Sequence, residues 1–459
     1  MINMKYSNRK KMDLFLKILI ISQGILYPIS KLQDIRLLIS IFSIALMFFL
    51  EVHTNIKRNN YLKILSLFWI SFSITIIFNQ GSQNFTELIN MLVLMFGATY
   101  YISDEISKDN IKKIIKIFIF VTLVIAIVDL LMYITYFSSS YVLGDHTEYI
   151  GMQSGRLWGL FNANITAFIA VLSLFLSVIA LINRYKYRYF YIINIIFQIH
   201  VFIYSQSRSM WVVMGVLICG FIYTEPRLKG KNIFIKILIS VLLMAILYPL
   251  SIKYNNISIQ VPVAVKKLRG EEVILKVKND KGEYIFVNEE GDEISEKEID
   301  INKVENIEAE RESTEYDITQ GRVDLWKRAL QISKENVIIG SGLKNFREYA
   351  DRYFEGKWPS IVRNAGVHNI YIMILAVGGI LGLAIFITFV IYTIFKFSRF
   401  ILFSDGLRSD KLFMVFIISM FIEELIESRM IYMINYYNIP FFMILGYCFH
   451  QLNKYETEN

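Results

Sequence analysis

With 459 residues, 55% of them apolar and 15% aromatic, and a mean hydropathy of +0.45, the chain is too apolar for an ordinary soluble protein. Its net charge of +8 resides in short connections between apolar runs rather than in one basic patch, which excludes a nucleic-acid-binding reading. Its two cysteines, Cys219 and Cys448, both fall inside apolar runs, so apolar packing is expected of them rather than a disulfide or a thiolate metal site.

Uncharged runs of about twenty residues, the length that crosses a bilayer core, recur from Leu14 onward. They predict an all-α polytopic membrane protein with about twelve transmembrane helices, centred near roughly residues 22, 42, 70, 95, 125, 172, 197, 217, 243, 382, 418 and 443. The first run follows Lys5, Arg9, Lys10 and Lys11 and lacks a small-residue cleavage site, so a retained helix is expected. An even number of helices places both termini on one side. One set of connections carries Lys57 and Arg58, then Lys108, Lys112, Lys113 and Lys116, then Arg184, Lys186 and Arg188, then Arg227, Lys229 and Lys231, then Arg399, Arg408 and Lys411. The positive-inside rule makes that set cytoplasmic, and both termini with it. The alternate set holds Lys31 and Arg36, no charge at all in residues 78–86, and single arginines at Arg156, Arg208 and Arg429, and is expected to face outward.

The expected domains are helices 1–9 in residues 1–254, a large extracytoplasmic loop in 255–367, and helices 10–12 in 368–459. Within the loop, Val273 to Lys278 and Glu283 to Val287 alternate as strands do around the turn Asn279-Asp280-Lys281-Gly282, which predicts a small β-hairpin. The hairpin and a strongly acidic stretch, together residues 271–317, read as a solvated insert. In the helical part, 318–367, residues 317–333 read as a helix with Thr319 as N-cap and Val323, Trp326 and Leu330 at helical spacing. Gly340-Ser341-Gly342 reads as a tight turn. The chain shows no internal repeat, heptad stretch, Walker loop, HExxH or GxSxG, so nucleotide-driven transport has no support.

Few ionisable groups are placed where they could do chemistry. Arg208, in Ser205-Gln206-Ser207-Arg208-Ser209, occupies a very short turn between apolar helices, and its fork of donors suits phosphate oxygens; snorkelling at the interface is the alternative. Arg156, in Gly155-Arg156-Leu157-Trp158-Gly159, is expected to open the sixth span, as a phosphate ligand or as an interface residue. Arg322 lies four residues before Trp326 and so on the same helical face, where solvation is the default for a charge. His368, in Val367-His368-Asn369, stands where the long loop re-enters the membrane; an imidazole there can accept a proton from a sugar hydroxyl or simply be hydrogen-bonded. Glu423, Glu424 and Glu427 cluster with Arg429 at the outward end of the eleventh span, and the four-residue spacing places Glu423 and Glu427 on one face. They either pair with Arg429 or bind sugar hydroxyls. Asp129, inside the fifth span, has no visible partner. The other histidines, His53, His146, His200 and His450, do not cluster as metal ligands do.

At these residues the sequence resembles the O-antigen polymerase and O-antigen ligase superfamily of membrane glycosyltransferases. The resemblance runs from about Gly155 to Gly382. It rests on Gly155-Arg156 through Gly159-Leu160-Phe161-Asn162-Ala163-Asn164, the Ser205 to Ser209 turn, Gly321-Arg322 with Trp326, Gly340-Ser341-Gly342, and His368-Asn369 followed by Gly378-Gly379-Ile380-Leu381-Gly382. Ala163 departs from the family's usual proline before the asparagine. The resemblance implies a helix-bundle fold with an extracytoplasmic site, in which Arg208, Arg322 and His368 are catalytic and Arg208, Arg322 and Arg156 bind the substrate diphosphate. Glu424, Glu427 and Asn369 are candidates for sugar binding. No metal or cofactor is implied. The implied partners are a polyprenyl-diphosphate-linked oligosaccharide donor and acceptor, the bilayer, and chain-length-regulator and flippase proteins, at the bacterial cytoplasmic membrane. Polymerisation of repeat units into a surface polysaccharide is the expected activity. A ligase moving a finished glycan to a lipid or protein acceptor, a lipid-linked glycan flippase or transporter, and a nonenzymatic scaffold are the competing readings.

Overall fold

The structure, a computed structural model, describes residues 6–26, 33–52, 60–79, 85–98, 105–143, 146–153, 155–269, 274–278, 284–287, 304–306, 322–354, 367–428, 430–432 and 438–458. The expected Thr319 cap, the 279–282 turn, most of the acidic stretch, His53 and Arg429 lie outside them.

Helices α1 (Tyr6–Leu26), α2 (Gln33–Val52), α3 (Asn60–Phe78) and α4 (Phe85–Leu92, running on as a π-helix over Val93–Ala98) precede the long α5 (Glu105–Ile134). Strands β1 (Ser138–Leu143), β2 (His146–Gln153) and β3 (Arg156–Gly159) follow, then α6 (Ala163–Ile182), α7 (Arg188–Ser205), α8 (Arg208–Tyr223), α9 (Ile233–Ser258) and α10 (Gln260–Leu268). Strands β4 (Ile274–Lys278), β5 (Tyr284–Val287) and β6 (Val304–Asn306) come before α11 (Arg322–Ile332) and α12 (Leu343–Phe354). The described chain ends with α13 (Ile370–Phe403), α14 (Arg408–Glu423) and α15 (Asn438–Glu458). The protein is mostly helical, and a helix stands at each centre the apolar runs predict.

Among the described residues, five helical segments are long and apolar enough to cross a membrane: Asn60–Phe78, Lys112–Ile134, Ala163–Ile182, Ile233–Lys266 and Ile370–Phe403. The fourth is the most telling. Only 11% of its most apolar window is buried, and it leaves Phe234, Leu238, Leu242, Ile246 and Leu250 exposed along its length. A helix apolar on all sides and yet uncovered by protein is stable only with lipid around it. The molecule is an integral membrane protein.

The chain folds as two compact units, Met1–Ile114 with Thr319–Asn459, and Ile115–Ile318. In the second unit α6 packs along α7, burying Ala167, Phe168, Ala170, Val171, Leu172 and Phe175. Lipid is as apolar as these side chains, so their burial alone does not hold the helices together; close packing and hydrogen bonds do. Here the polar rung is complete. Thr122 and Ser173 hydroxyls meet at 2.6 Å, and Asn194 Nδ2 donates to Ser173 Oγ at 2.9 Å and Ser177 Oγ at 2.8 Å. Gln198 Nε2 donates to the Thr122 carbonyl at 2.9 Å and to Asn194 Oδ1 at 3.1 Å.

In the first unit the feature that positions the site is a broken helix. At Gly379 (φ 67°, ψ −172°) α13 leaves helical geometry, which forfeits the bonds that Ile380 and Leu381 would give to Ala376 and Val377. Residues 337–342 replace them strand-like: Ile380 N donates to the Val337 carbonyl at 2.8 Å and Leu381 N to Ile338 at 3.1 Å, while Ser341 N reaches the Ala376 carbonyl at 3.0 Å and Gly342 N reaches Val377 at 2.9 Å. From α3, the Thr75 hydroxyl donates to the Ile339 carbonyl, and just past its end Asn79 Nδ2 donates to the Gly340 carbonyl. The two backbones cross so closely that a Cβ on Gly340 would lie 2.4 Å from Gly379 N, and one on Gly379 would lie 2.3 Å from the Ile338 carbonyl oxygen. The sequence motif Gly340-Ser341-Gly342, expected as a tight turn, instead follows the turn at residues 333–339 and pairs strand-like with the broken helix.

Among the described residues, two small sheets accompany the helices. The expected hairpin is present: β4 and β5 are antiparallel with Lys278 opposite Tyr284, and β6, from within the acidic stretch, pairs parallel to β4. The other sheet, β1-β2-β3, is antiparallel and was not expected from the sequence. It moves Arg156 from the start of a span onto strand β3, and α6 begins only at Ala163, capped by Asn162 through its side chain to Ile165 N at 3.1 Å.

Candidate functional site

In the first unit three side chains far apart in sequence converge. Arg322 opens α11 and donates from Nη2 to Glu427 Oε1 at 3.3 Å. His368 precedes α13, and its Nδ1 meets Glu427 Oε2 at 3.0 Å. The carboxylate is 1% exposed, whereas Arg322 and His368 keep 23% and 18% of their side chains open, so the carboxylate lies beneath and both of these partners reach the surface.

The local backbone explains the placement. Trp326, one turn along α11 from Arg322, donates from Nε1 to the Val367 carbonyl at 3.0 Å, so one helical face holds both Glu427 and the chain beside His368. His368 has φ 52°, an uncommon conformation for a side-chain-bearing residue, with its N–H on Ser428 Oγ at 3.2 Å. Asn369 then caps α13, accepting from Ile372 N at 3.0 Å and donating from Nδ2 to the Leu425 carbonyl at 2.9 Å. Ile370 N donates to the Glu424 carbonyl at 3.0 Å. Both polar atoms of Asn369 are thus occupied in shaping the turn.

α14 ends at Glu423, with Glu424 as its C-cap, so the helical spacing that would put Glu423 and Glu427 on one face does not apply. Glu427 lies past the helix end and turns toward α11 and α13. The Glu424 side chain is fully buried.

Arg328 of α11 covers the Phe354 ring of α12 at 4.9 Å, which ties the two helices, and within α12 Arg352 covers the Tyr349 ring at 5.5 Å. The Tyr353 hydroxyl donates to the Glu335 carboxylate, and that contact holds the phenol above its ordinary pKa.

In the second unit, Arg156 and Arg208 occupy neighbouring segments in different ways. Arg208 opens α8, its side chain exposed, and among the described residues no ion pair or hydrogen bond involves its guanidinium. Arg156 donates from Nε and Nη2 to the Ser205 carbonyl at 3.1 and 2.8 Å. Asp129 gains a partner the sequence did not reveal: its carboxylate accepts from Leu160 N at 3.0 Å, at the bend between β3 and α6.

A buried carboxylate shared by a histidine and an arginine has the chemistry to pair proton transfer with anion binding, which makes this cluster the candidate site. Residues 193–387 match the profile of the family described as O-Antigen ligase, which supports, for this part of the chain, the O-antigen ligase superfamily and a membrane glycosyltransferase-like enzyme. The matched span includes Arg208, Arg322, His368 and Gly379; Arg156 lies before it and Glu427 after it. No curated protein matches the chain.

Proposed function

We propose that the protein polymerises lipid-diphosphate-linked oligosaccharide units into a surface polysaccharide, on the outer face of a bacterial cytoplasmic membrane crossed by twelve helices with both termini cytoplasmic. The observation that supports this best is the Glu427 carboxylate held between His368 Nδ1 and Arg322 Nη2.

A carboxylate accepting from Nδ1–H fixes the imidazole tautomer and leaves Nε2 with a free lone pair. In this reading, an acceptor sugar hydroxyl attacks the anomeric carbon of the donor while Nε2 takes its proton, and Glu427 stabilises the imidazolium. The bond from the anomeric carbon to the lipid diphosphate breaks, and its electron pair leaves on a phosphate oxygen. Arg322 carries donors beyond the one it gives Glu427, and these meet the developing charge. Arg208 is assigned to the same step by the family resemblance of its turn. Guanidinium groups supply the charge stabilisation that a metal would otherwise provide, so the reading needs none. Glu427 acts here as the group that orients His368, in place of a sugar ligand, because both its oxygens are engaged and the residue is enclosed.

The test is incubation of the purified protein with a lipid-diphosphate-linked repeat unit. A ladder of products supports polymerisation. A single transferred product would make the protein a ligase, the second reading, which the family's description favours. Unmodified substrate moved across vesicles would replace both with a flippase.

A further inference from the structure

Three residues of the segment 155–164, Gly155, Arg156 and Asn164, make hydrogen bonds with the helix turn that carries Arg208. The turn between α7 and α8 consists of Gln206 and Ser207, and both are tied to this segment. Gln206, in left-handed conformation at φ 52°, donates from Nε2 to the Gly155 carbonyl at 3.1 Å. Ser207 Oγ donates to Asn164 Oδ1 at 3.0 Å in place of capping α8. Arg156 directs two nitrogens at one carbonyl, that of Ser205, the last residue of α7, where a helix leaves its acceptors unsatisfied and its dipole is negative. At the far end of β3, Thr166 Oγ1 holds the Trp158 carbonyl at 2.7 Å and Asp129 holds Leu160 N, so the bracket is itself anchored to α5 and α6.

We infer that Arg156 is a positioning residue: it clamps the α7–α8 turn so that Arg208 emerges in a fixed direction, and it does not bind substrate phosphate. The inference rests on the role proposed above for Arg208. A phosphate ligand would present its fork to the ligand; this fork is spent edge-on at a backbone carbonyl, and the reciprocal Gln206 bond makes the clamp two-sided.

Two measurements test it, each with protein level and monodispersity in the membrane fraction confirmed. In the first, Cys219→Ala and Cys448→Ala remove the native thiols, Arg208→Cys reports on the turn, and the rate of labelling by a soluble maleimide is followed. Arg156→Ala and Gln206→Ala should each raise that rate several-fold; an unchanged rate in both overturns the clamp. In the second, Arg156→Ala should lower kcat/KM for a lipid-diphosphate-linked donor about 10-fold in the otherwise native protein and less than about 2-fold in an Arg208→Ala background, because residues acting through one another are not additive. Equal losses in the two backgrounds would make Arg156 an independent phosphate ligand and overturn the inference. Failure of the native protein to transfer any glycan, with the labelling change still present, would sink the functional reading and leave the clamp standing.

Discussion

At the scale of single residues the proposed chemistry turns on Glu427, one enclosed carboxylate that contacts both Arg322 and His368. Glu427→Gln keeps the shape but removes the charge that steadies an imidazolium. It should lower kcat roughly 10²-fold or more with little change in the amount of protein in the membrane. Transfer kinetics beside a size-exclusion profile check this, and activity within 2-fold of the native protein, roughly the scatter of such assays, would remove Glu427 from the mechanism. His368→Ala should abolish product. Arg208→Lys should do nearly the same, because a single ammonium cannot reproduce a planar fork, and loss of one such donor raises the barrier by about 3 kcal/mol. Native product lengths from either variant would take that residue out of the site. Of this constellation, the Arg322–Trp326 spacing was legible because helical periodicity is local. The Glu427 contact was misread, since the sequence carries no clear signal that α14 stops at Glu423.

Among elements, the mended helix α13 is the most constrained. Gly379→Ala would force a methyl group into the Ile338 carbonyl at a backbone angle that side chains resist, so a loss of about 3 kcal/mol or more in stability is expected. A fall in the detergent thermal midpoint reads this out, and an unshifted midpoint would mean that the crossing of residues 337–342 with α13 does not exist. The rung across α5, α6 and α7 makes a milder case. Asn194→Leu strips bonds from Ser173, Ser177 and Gln198, and about 1–2 kcal/mol of destabilisation should follow, with resistance to denaturing detergent as the measurement. The hairpin β4–β5 was legible from alternation around a Gly-containing turn. The β1-β2-β3 sheet was missed, although Gly144-Asp145 between two β-prone runs is itself a hairpin signal. It was hidden because a short sheet beside long apolar helices contributes little to hydropathy.

For the molecule as a whole, the two units share out the candidate residues, Arg322, His368 and Glu427 in one and Arg156 and Arg208 in the other. The acidic stretch supplies none of these candidate residues. Replacing residues 289–312 with a short flexible linker should leave transfer measurable, assayed by the product ladder of the same purified preparation; complete loss from a well-folded variant would give the insert a part in catalysis.

Apolar run length and 3.6-residue periodicity act within about twenty neighbouring positions, and from them alone follow the helices, their centres, the membrane setting and the short list of charged groups worth attention. Which of those groups meet is a different matter. Arg322 finds Glu427 across 105 residues and His368 finds it across 59, and Arg156 spends its fork on a carbonyl 49 residues away. Such meetings depend on how separate helix ends and strands pack in space, and no local pattern in a chain encodes them.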